Sequence, residues 1–278
     1  MAQKSVLITG CSKGGIGDAL AQEFHARGLR VFATARSPAK IEHLKERGIE
    51  TLRLDVTSPE DVSEAVKKVA SKTGGSLDFL ILNAGTHHWM PFSDCSIDEV
   101  RQMLETNIIS IYTVTQPFLP LLIKARGLIA TIGSINQVLS PPYQTAYNAC
   151  KHAINGITDT LRVELASLGV RVVNIVTGSV DTAQHAGAVS LPESSYYAAA
   201  KKDIESKKMM NQGWKQRPEE YAKKVVGDLL GSRPGPWIWR GGMATTIWLV
   251  TAILPKGWMD DTFAKNASLG LVKPPRAT

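Results

Sequence analysis

The sequence predicts an α/β fold in which helices cover both faces of a doubly wound parallel sheet. Three observations carry that prediction. Apolar runs of strand length alternate with amphipathic stretches of helix length through the first 182 residues. Each apolar run is nearly continuous in aliphatic and β-branched residues, as a strand buried on both faces requires, and does not alternate with polar ones. The chain has 278 residues, 44% of them apolar, enough to bury one large core.

In chain order the expected strands are "SVLITG", "RVFATAR", "ETLRLDV", "LDFLILNAG", "GLIATIGS" and "VRVVNIVTG". Between them stand the expected helices "GDALAQEFHARG", "SPEDVSEAVKKVASKTG", "SIDEVRQMLETNIISIYTVTQPFLPLLIKAR" and "AYNACKHAINGITDTLRVELASLG". The second of these has a well-marked start: Ser58 suits the N-cap, Pro59 the first helical position, and Glu60 and Asp61 the positive helix end. After Thr182 the alternation lapses. Residues 183–217 mix small residues with Leu191, Tyr196, Tyr197, Met209, Met210 and Trp214, the pattern of a helical lid. Residues 232–278 begin with "SRPGPWIWRGG" and continue into the apolar "MATTIWLVTAILP", which is too short to span a bilayer at the ~20 residues that takes. The expectation is one domain with a lid and a C-terminal extension.

The formal charge of +7 is scattered and not gathered into a basic run, which suits an anionic small ligand and argues against nucleic acid. Cys11, Cys95 and Cys150 form no CxxC pair, and the chain opens on a strand where a secretory leader would stand. A reducing, cytoplasmic setting is expected. His87 and His88 are adjacent with no third ligand near, so no metal site is expected.

A strand running through a glycine-rich turn into a helix aims backbone N–H groups and the positive helix end at a phosphate. "LITGCSKGGIG" supplies that turn with Gly10, Gly15 and Gly17. An ordinary turn also wants glycine, so this motif alone leaves the ligand open. The end of the second strand narrows it. A dinucleotide site for NAD places an acid there, on the ribose 2′-hydroxyl, whereas this chain has Arg36, suited to a 2′-phosphate. NADP(H) is the expected cofactor, with Ser12, Lys13 and Ile16 near its phosphates and Asp55 and Val56 near its adenine. Asp55 equally suits a turn cap. Asn83, Ala84 and Gly85 end the fourth strand, where small residues leave room for the cofactor's sugar.

"YNACK" sets Tyr147 and Lys151 four apart on one helix face. A phenol working near neutrality needs its pKa moved by about 3 units, roughly 4 kcal/mol, and a neighbouring ammonium acts with the right sign. Ser134, thirteen residues earlier at a strand end, offers a hydroxyl to a carbonyl oxygen. Asn107 stands in mid-helix, awkward for an asparagine unless its amide holds a water or a backbone group.

Over residues 4–182 these motifs, in this order, resemble the short-chain dehydrogenase/reductase family. The resemblance implies a Rossmann-type fold of about seven strands and hydride transfer to or from a nicotinamide. By position, Tyr147 would be the general acid/base, Lys151 its partner and ribose ligand, Ser134 the carbonyl anchor and Asn107 the support of a proton-relay water. Gly178, Val180 and Thr182 would match the loop beside the carboxamide. The sequence departs from the family twice: TGxxxGIG is lengthened by one residue here, and Pro-Gly before the carboxamide loop is Thr177-Gly178.

The segments that set specificity in this family contribute His87, His88, Trp89, Gln137, Val138, Leu139 and Tyr143 together with the lid. That lining suits a bulky, mainly apolar ketone. The expected function is its NADPH-dependent reduction. The alternatives are an alcohol dehydrogenase or epimerase of polyketide or terpenoid metabolism on the same site, and a non-catalytic NADPH-binding regulator. A looser resemblance, through the long glycine loop, "FATARS" and "WIWRGGMAT", is to the fungal NADPH-dependent 1-acyldihydroxyacetone-phosphate reductase group, which includes lipid enzymes. Trp237, Trp239, Trp248 and Trp258 would then meet an endoplasmic reticulum membrane or lipid-droplet surface, or cover a contact in the homodimer or homotetramer usual in the family.

Overall fold

A computed structural model describes residues 3–182, 188–211, 214–232 and 234–273. Parts of the expected lid (183–187 and 212–213) and of the extension (233 and 274–278) lie outside the described residues. The first half of the chain alternates β1 (Ser5–Ile8), α1 (Ile16–Ala26), β2 (Arg30–Ala35), a short α2 (Glu42–Lys45), β3 (Glu50–Arg53), α3 (Pro59–Thr73) and β4 (Phe79–Leu82). There follow α4 (Ile97–Leu104), α5 (Ser110–Ala125), β5 (Leu128–Ile132), α6 (Thr145–Glu164) and β6 (Arg171–Thr177). The remainder contributes α7 (Lys201–Glu205), α8 (Pro218–Leu229), β7 (Trp237–Arg240), α9 (Ala244–Thr251) and α10 (Asp260–Asn266).

The seven strands form one parallel sheet in the order β3-β2-β1-β4-β5-β6-β7. Successive residues of a strand face opposite sides, so Val6 and Ile8 enter one core with Phe24 of α1 and Tyr221 and Val225 of α8. Leu7 enters the other, with Val69 of α3 and Phe118 and Leu122 of α5. This is why the strands read as continuous apolar runs. The strand order reverses between β1 and β4, and a crevice outside the carboxyl ends of strands at such a reversal is where α/β sheets bind ligands.

The expected start of α3 is present: the Ser58 hydroxyl accepts the Asp61 N–H at 3.1 Å, and Gly74 ends the helix in the left-handed region. The single long helix expected after β4 is present as one uninterrupted run, Ile97–Ala125, in which α4 and α5 are joined by one wide turn, Glu105–Ile109, with Asn107 inside it. Residues 97–125 are long and apolar enough to cross a membrane by composition, but Val114, Phe118 and Leu122 are buried against the sheet.

The extension is not an appendage. Its "WIWR" is β7, which closes the sheet against β6, and the Trp237 indole donates to Asp159 of α6 at 3.0 Å. Of the four tryptophans expected at an outer surface, Trp248 is exposed, while Trp237 and Trp239 belong to this edge strand and are half-buried. Flanked by Gly and Pro and with Ile238 its one aliphatic residue, this strand lacks the continuous apolar run that marks the central strands.

Candidate active site

The glycine turn is shaped by close packing. A Cβ on Gly17 would stand 2.5 Å from both the Asn83 amide nitrogen and the Gly10 carbonyl oxygen, and one on Gly10 would stand 2.9 Å from the Ala84 Cα. Gly10 also has φ +73°. Asn83 makes this approach rigid, its side-chain amide donating to the carbonyls of Thr9 (2.8 Å) and Gly10 (2.9 Å). The Thr9 hydroxyl in turn accepts the N–H groups of Asn83 and Ala84. The ends of β1 and β4 are thereby locked together.

A cavity of about 430 Å³ opens on this turn. It is lined by Gly10, Ser12, Lys13, Gly15 and Ile16 from the turn, Arg36 after β2, Asp55 and Val56 after β3, Asn83, Ala84 and Gly85 after β4, and Thr182. Gly17 supports the turn from behind. Lys40, which sequence reasoning missed, joins Lys13 and Arg36 at the same cavity, three cations against the one carboxylate of Asp55. The signal for Lys40 was present in "ARSPAK": a proline-started turn brings a second cation back beside Arg36. Asp55 is a turn cap, accepting the N–H and hydroxyl of Thr57 at 3.0 and 2.8 Å. Burial would raise its carboxyl, but the Thr57 bonds, with Arg36 and Arg53 nearby, hold it below the usual carboxylate value.

A second cavity of about 400 Å³ adjoins the first and contains Ser134, Tyr147, Lys151, Gly178, Val180 and Thr182. Ser134 caps a short turn after β5, its hydroxyl oxygen accepting the Asn136 N–H at 3.1 Å, which leaves the hydroxyl hydrogen to donate. The Gln137 side-chain oxygen accepts the Ser134 N–H at 2.8 Å and lies where a Cβ on Gly133 would stand. Gln137, expected to meet substrate, therefore faces away and positions Ser134.

Lys151 is buried and donates to the Ile132 carbonyl at 2.8 Å, with its nitrogen 5.5 Å from the centre of the Tyr147 ring. Burial pushes the Tyr147 phenol up to about 12, partly countered by a hydrogen bond with Ser134. Burial also draws the Lys151 ammonium down to about 8. The Lys151 ammonium, bonded to a carbonyl of β5, stands where its charge favours the phenolate, while burial of the ring favours the phenol. The phenol stays protonated at neutral pH.

Asn107 uses both ends of its amide on one residue, donating to the Thr86 carbonyl at 2.9 Å and accepting the Thr86 N–H at 2.7 Å. The wide turn that carries it and the backbone-holding amide explain an asparagine in mid-helix. Thr177, the departure from Pro, places its hydroxyl 2.6 Å from the buried Tyr221 hydroxyl, which otherwise would lie unpaired in the core.

Of the residues expected to meet substrate, His87 and Leu139 line the second cavity. Trp89, Val138 and Tyr143 do not. The Trp89 indole donates to the Ile204 carbonyl at 3.0 Å, and the Tyr143 hydroxyl to the Ala267 carbonyl at 2.8 Å. Together they anchor the lid and the C-terminal segment in a small core with Leu191 and Ala200. His88 turns to Glu99, 3.4 Å away. His87 stands edge-on to the Tyr147 ring, centroids 4.6 Å apart, and bonds to Gln144 at 2.7 Å. The apolar wall opposite is built by Met209 and Met210 of the lid, as expected, and by Met243, Ile247, Met259 and Phe263 of the extension, which sequence reasoning did not single out.

The model of the short chain dehydrogenase family matches residues 4–191. The chain belongs to that family. This short-chain dehydrogenase/reductase is 40% identical over 271 residues to a short-chain dehydrogenase of Penicillium ochrochloron, covering 97% of this chain and all of the relative. It is 36% identical over 261 residues, 88% of each chain, to an NADPH-dependent 1-acyldihydroxyacetone phosphate reductase of Schizosaccharomyces pombe. A solved short-chain dehydrogenase from Streptomyces avermitilis superposes with a TM-score of 0.79 at 25% identity, covering 97% of this chain and 98% of that one. Family membership makes the protein an oxidoreductase acting on small molecules.

Proposed function

We propose that this protein is an NADPH-dependent ketoreductase for bulky, mainly apolar ketones. The carrying observation is the junction of two cavities, one with Lys13, Arg36 and Lys40 at its far end, the other presenting Ser134 and Tyr147 to an apolar wall. The residues present fit the cofactor. Gly10 and Gly15 line the cavity at the start of α1, where a pyrophosphate would approach, and the cations match a 2′-phosphate. The name of the 36% identical relative supports the same cofactor. Arg36, Lys13 and Lys40 would hold the 2′-phosphate, the start of α1 the pyrophosphate, and Lys151, Val180 and Thr182 the nicotinamide end. When bound, NADPH supplies the hydride.

Ser134 turns its hydroxyl hydrogen from the Tyr147 oxygen to the substrate carbonyl oxygen and fixes its direction. Tyr147, kept protonated by burial, gives its proton to that oxygen as the C=O π bond breaks, leaving the alcohol and a phenolate. Lys151 carries the charge that stabilises this phenolate. The apolar wall from Met209 to Phe263 excludes water and takes up substrate bulk. NADPH consumption with large polycyclic or long-chain ketones, and little with acetone-sized ones, is the expected result. No consumption across such a panel, with NADPH bound, would favour the non-catalytic regulator.

The reading extends to a cytoplasmic enzyme that meets its substrates at lipid. Trp248 (49% exposed) and Ile253 (80%) stand exposed on the segment that also sends Met243, Ile247, Met259 and Phe263 into the substrate cavity. Co-sedimentation with phosphatidylcholine vesicles should fall on Trp248→Ser with Ile253→Ser. An unchanged pellet, or a monomer produced by the same changes in place of a dimer, would assign the patch to a subunit contact.

A further inference from the structure

The extra residue of the glycine turn has an identifiable partner. Gly14 has φ +75° and is exposed, and a Cβ there would meet nothing within 4 Å, so no close approach requires glycine. Its N–H donates to Oδ2 of Asp18 at 2.8 Å, in the first turn of α1. Asp18 is only 5% exposed, and its Oδ1 accepts from Gln22 at 2.8 Å and meets the His43 ring nitrogen at 2.9 Å. A second tie runs alongside, from the Lys13 N–H to the Lys40 carbonyl at 3.1 Å. The turn is thus fastened at two points, through Asp18 to α1 and His43 of α2, and directly to Lys40 in the segment after β2.

We infer that Asp18 is a positioning residue for the cofactor: it folds the lengthened turn down so that Ser12 and Lys13 keep their places in the phosphate cavity. This rests on the NADPH reading above. An alternative explanation for an acid there is its favourable interaction with the helix N-terminus. The two differ in sign for the cofactor. A carboxylate in the first turn of the helix that receives a pyrophosphate repels it, so electrostatics alone predicts tighter binding once it is removed. Positioning predicts weaker binding.

The test is fluorescence titration of NADPH and NADH, with steady-state kinetics, on Asp18→Ala, Asp18→Asn and a deletion of Gly14. Loss of a bond to a charged group predicts Kd for both cofactors raised about tenfold in Asp18→Ala, with kcat at saturation within about twofold. Asp18→Asn, which keeps an acceptor for the Gly14 N–H, should stay within about threefold. In the deletion background, which restores the family spacing, Asp18→Ala should change Kd less than about twofold, because its partner is gone. Tighter or unchanged binding in Asp18→Ala, or the full effect in the deletion background, overturns the inference. Amide exchange of Gly14 in the wild-type protein keeps the test alive if a variant fails to fold. Protection like that of α1 is expected, and exchange at the rate of an open loop contradicts it. A wild-type protein that binds neither cofactor would overturn the NADPH reading itself.

Discussion

The cofactor half and the substrate half of this molecule are built differently. Around the first cavity the residues stand at the carboxyl ends of β1 to β4 and are fastened by the strands' own hydrogen bonds, as when Asn83 holds the carbonyls of Thr9 and Gly10. Around the second, one wall is the rigid β5 turn and α6, and the other is assembled from segments more than 50 residues further along the chain: Met209 and Met210, then Met243 to Phe263. The wall that carries Ser134, Tyr147 and Lys151 is thus part of the sheet framework, while the wall opposite is an added layer packed on Trp89 and Tyr143. A layer of this kind can change its side chains without disturbing the catalytic geometry.

The largest effect should separate the two halves cleanly. Arg36→Ala should raise Kd for NADPH about thirtyfold and that for NADH less than about twofold, as loss of a charge-assisted contact predicts. Equal loss for both cofactors would remove the 2′-phosphate role. On the other side, Phe263→Ala should raise KM several-fold for bulky ketones while leaving small ketones and NADPH unaffected, since it removes apolar contact at one wall only. A fall in kcat for every substrate would mean that the outer wall and the catalytic wall are coupled.

Two smaller effects address the framework between them. Lys151 is held near 8 in the folded protein against an ordinary value of 10.5, so between those values the unfolded chain binds more protons and stability rises with pH. Lys151→Met should lose up to about 1 kcal/mol per pH unit of that rise between pH 8 and 10, measured as the difference from wild type in urea unfolding. An identical slope in both proteins would contradict it. Thr177→Val should cost about 1 kcal/mol by leaving the Tyr221 hydroxyl unpaired, with cofactor Kd unchanged.

What could be read in the sequence follows the same division. Residues at strand ends are legible because a continuous apolar run fixes where the strand stops, so Gly10, Arg36, Asn83 and Ser134 were placed from pattern, whereas Thr182 came from the family resemblance. Tyr147 and Lys151 followed from helical spacing. Gln137 and Tyr143 misled because both are polar residues near the site whose partners, the Ser134 N–H and the Ala267 carbonyl, lie in backbone that pattern does not reveal. The outer wall was illegible for a related reason. Ile247 and Phe263 sit on short helices whose apolar residues face a cavity, and no periodicity states which cavity an apolar face will cover. β7 escaped because Trp237–Arg240 lies in a Gly- and Pro-rich run and buries only Ile238, so no continuous apolar stretch marks it.

The central claim is that Tyr147 protonates a ketone reduced by hydride from NADPH. The most direct measurement uses NADPH deuterated at C4 of the nicotinamide with a bulky apolar ketone, comparing wild type with Tyr147→Phe. The account predicts deuterium on the carbinol carbon of the alcohol, a turnover in the variant lower by at least about a thousandfold, and NADPH Kd within about twofold. Turnover retained in Tyr147→Phe, or an alcohol without deuterium at that carbon, would contradict it.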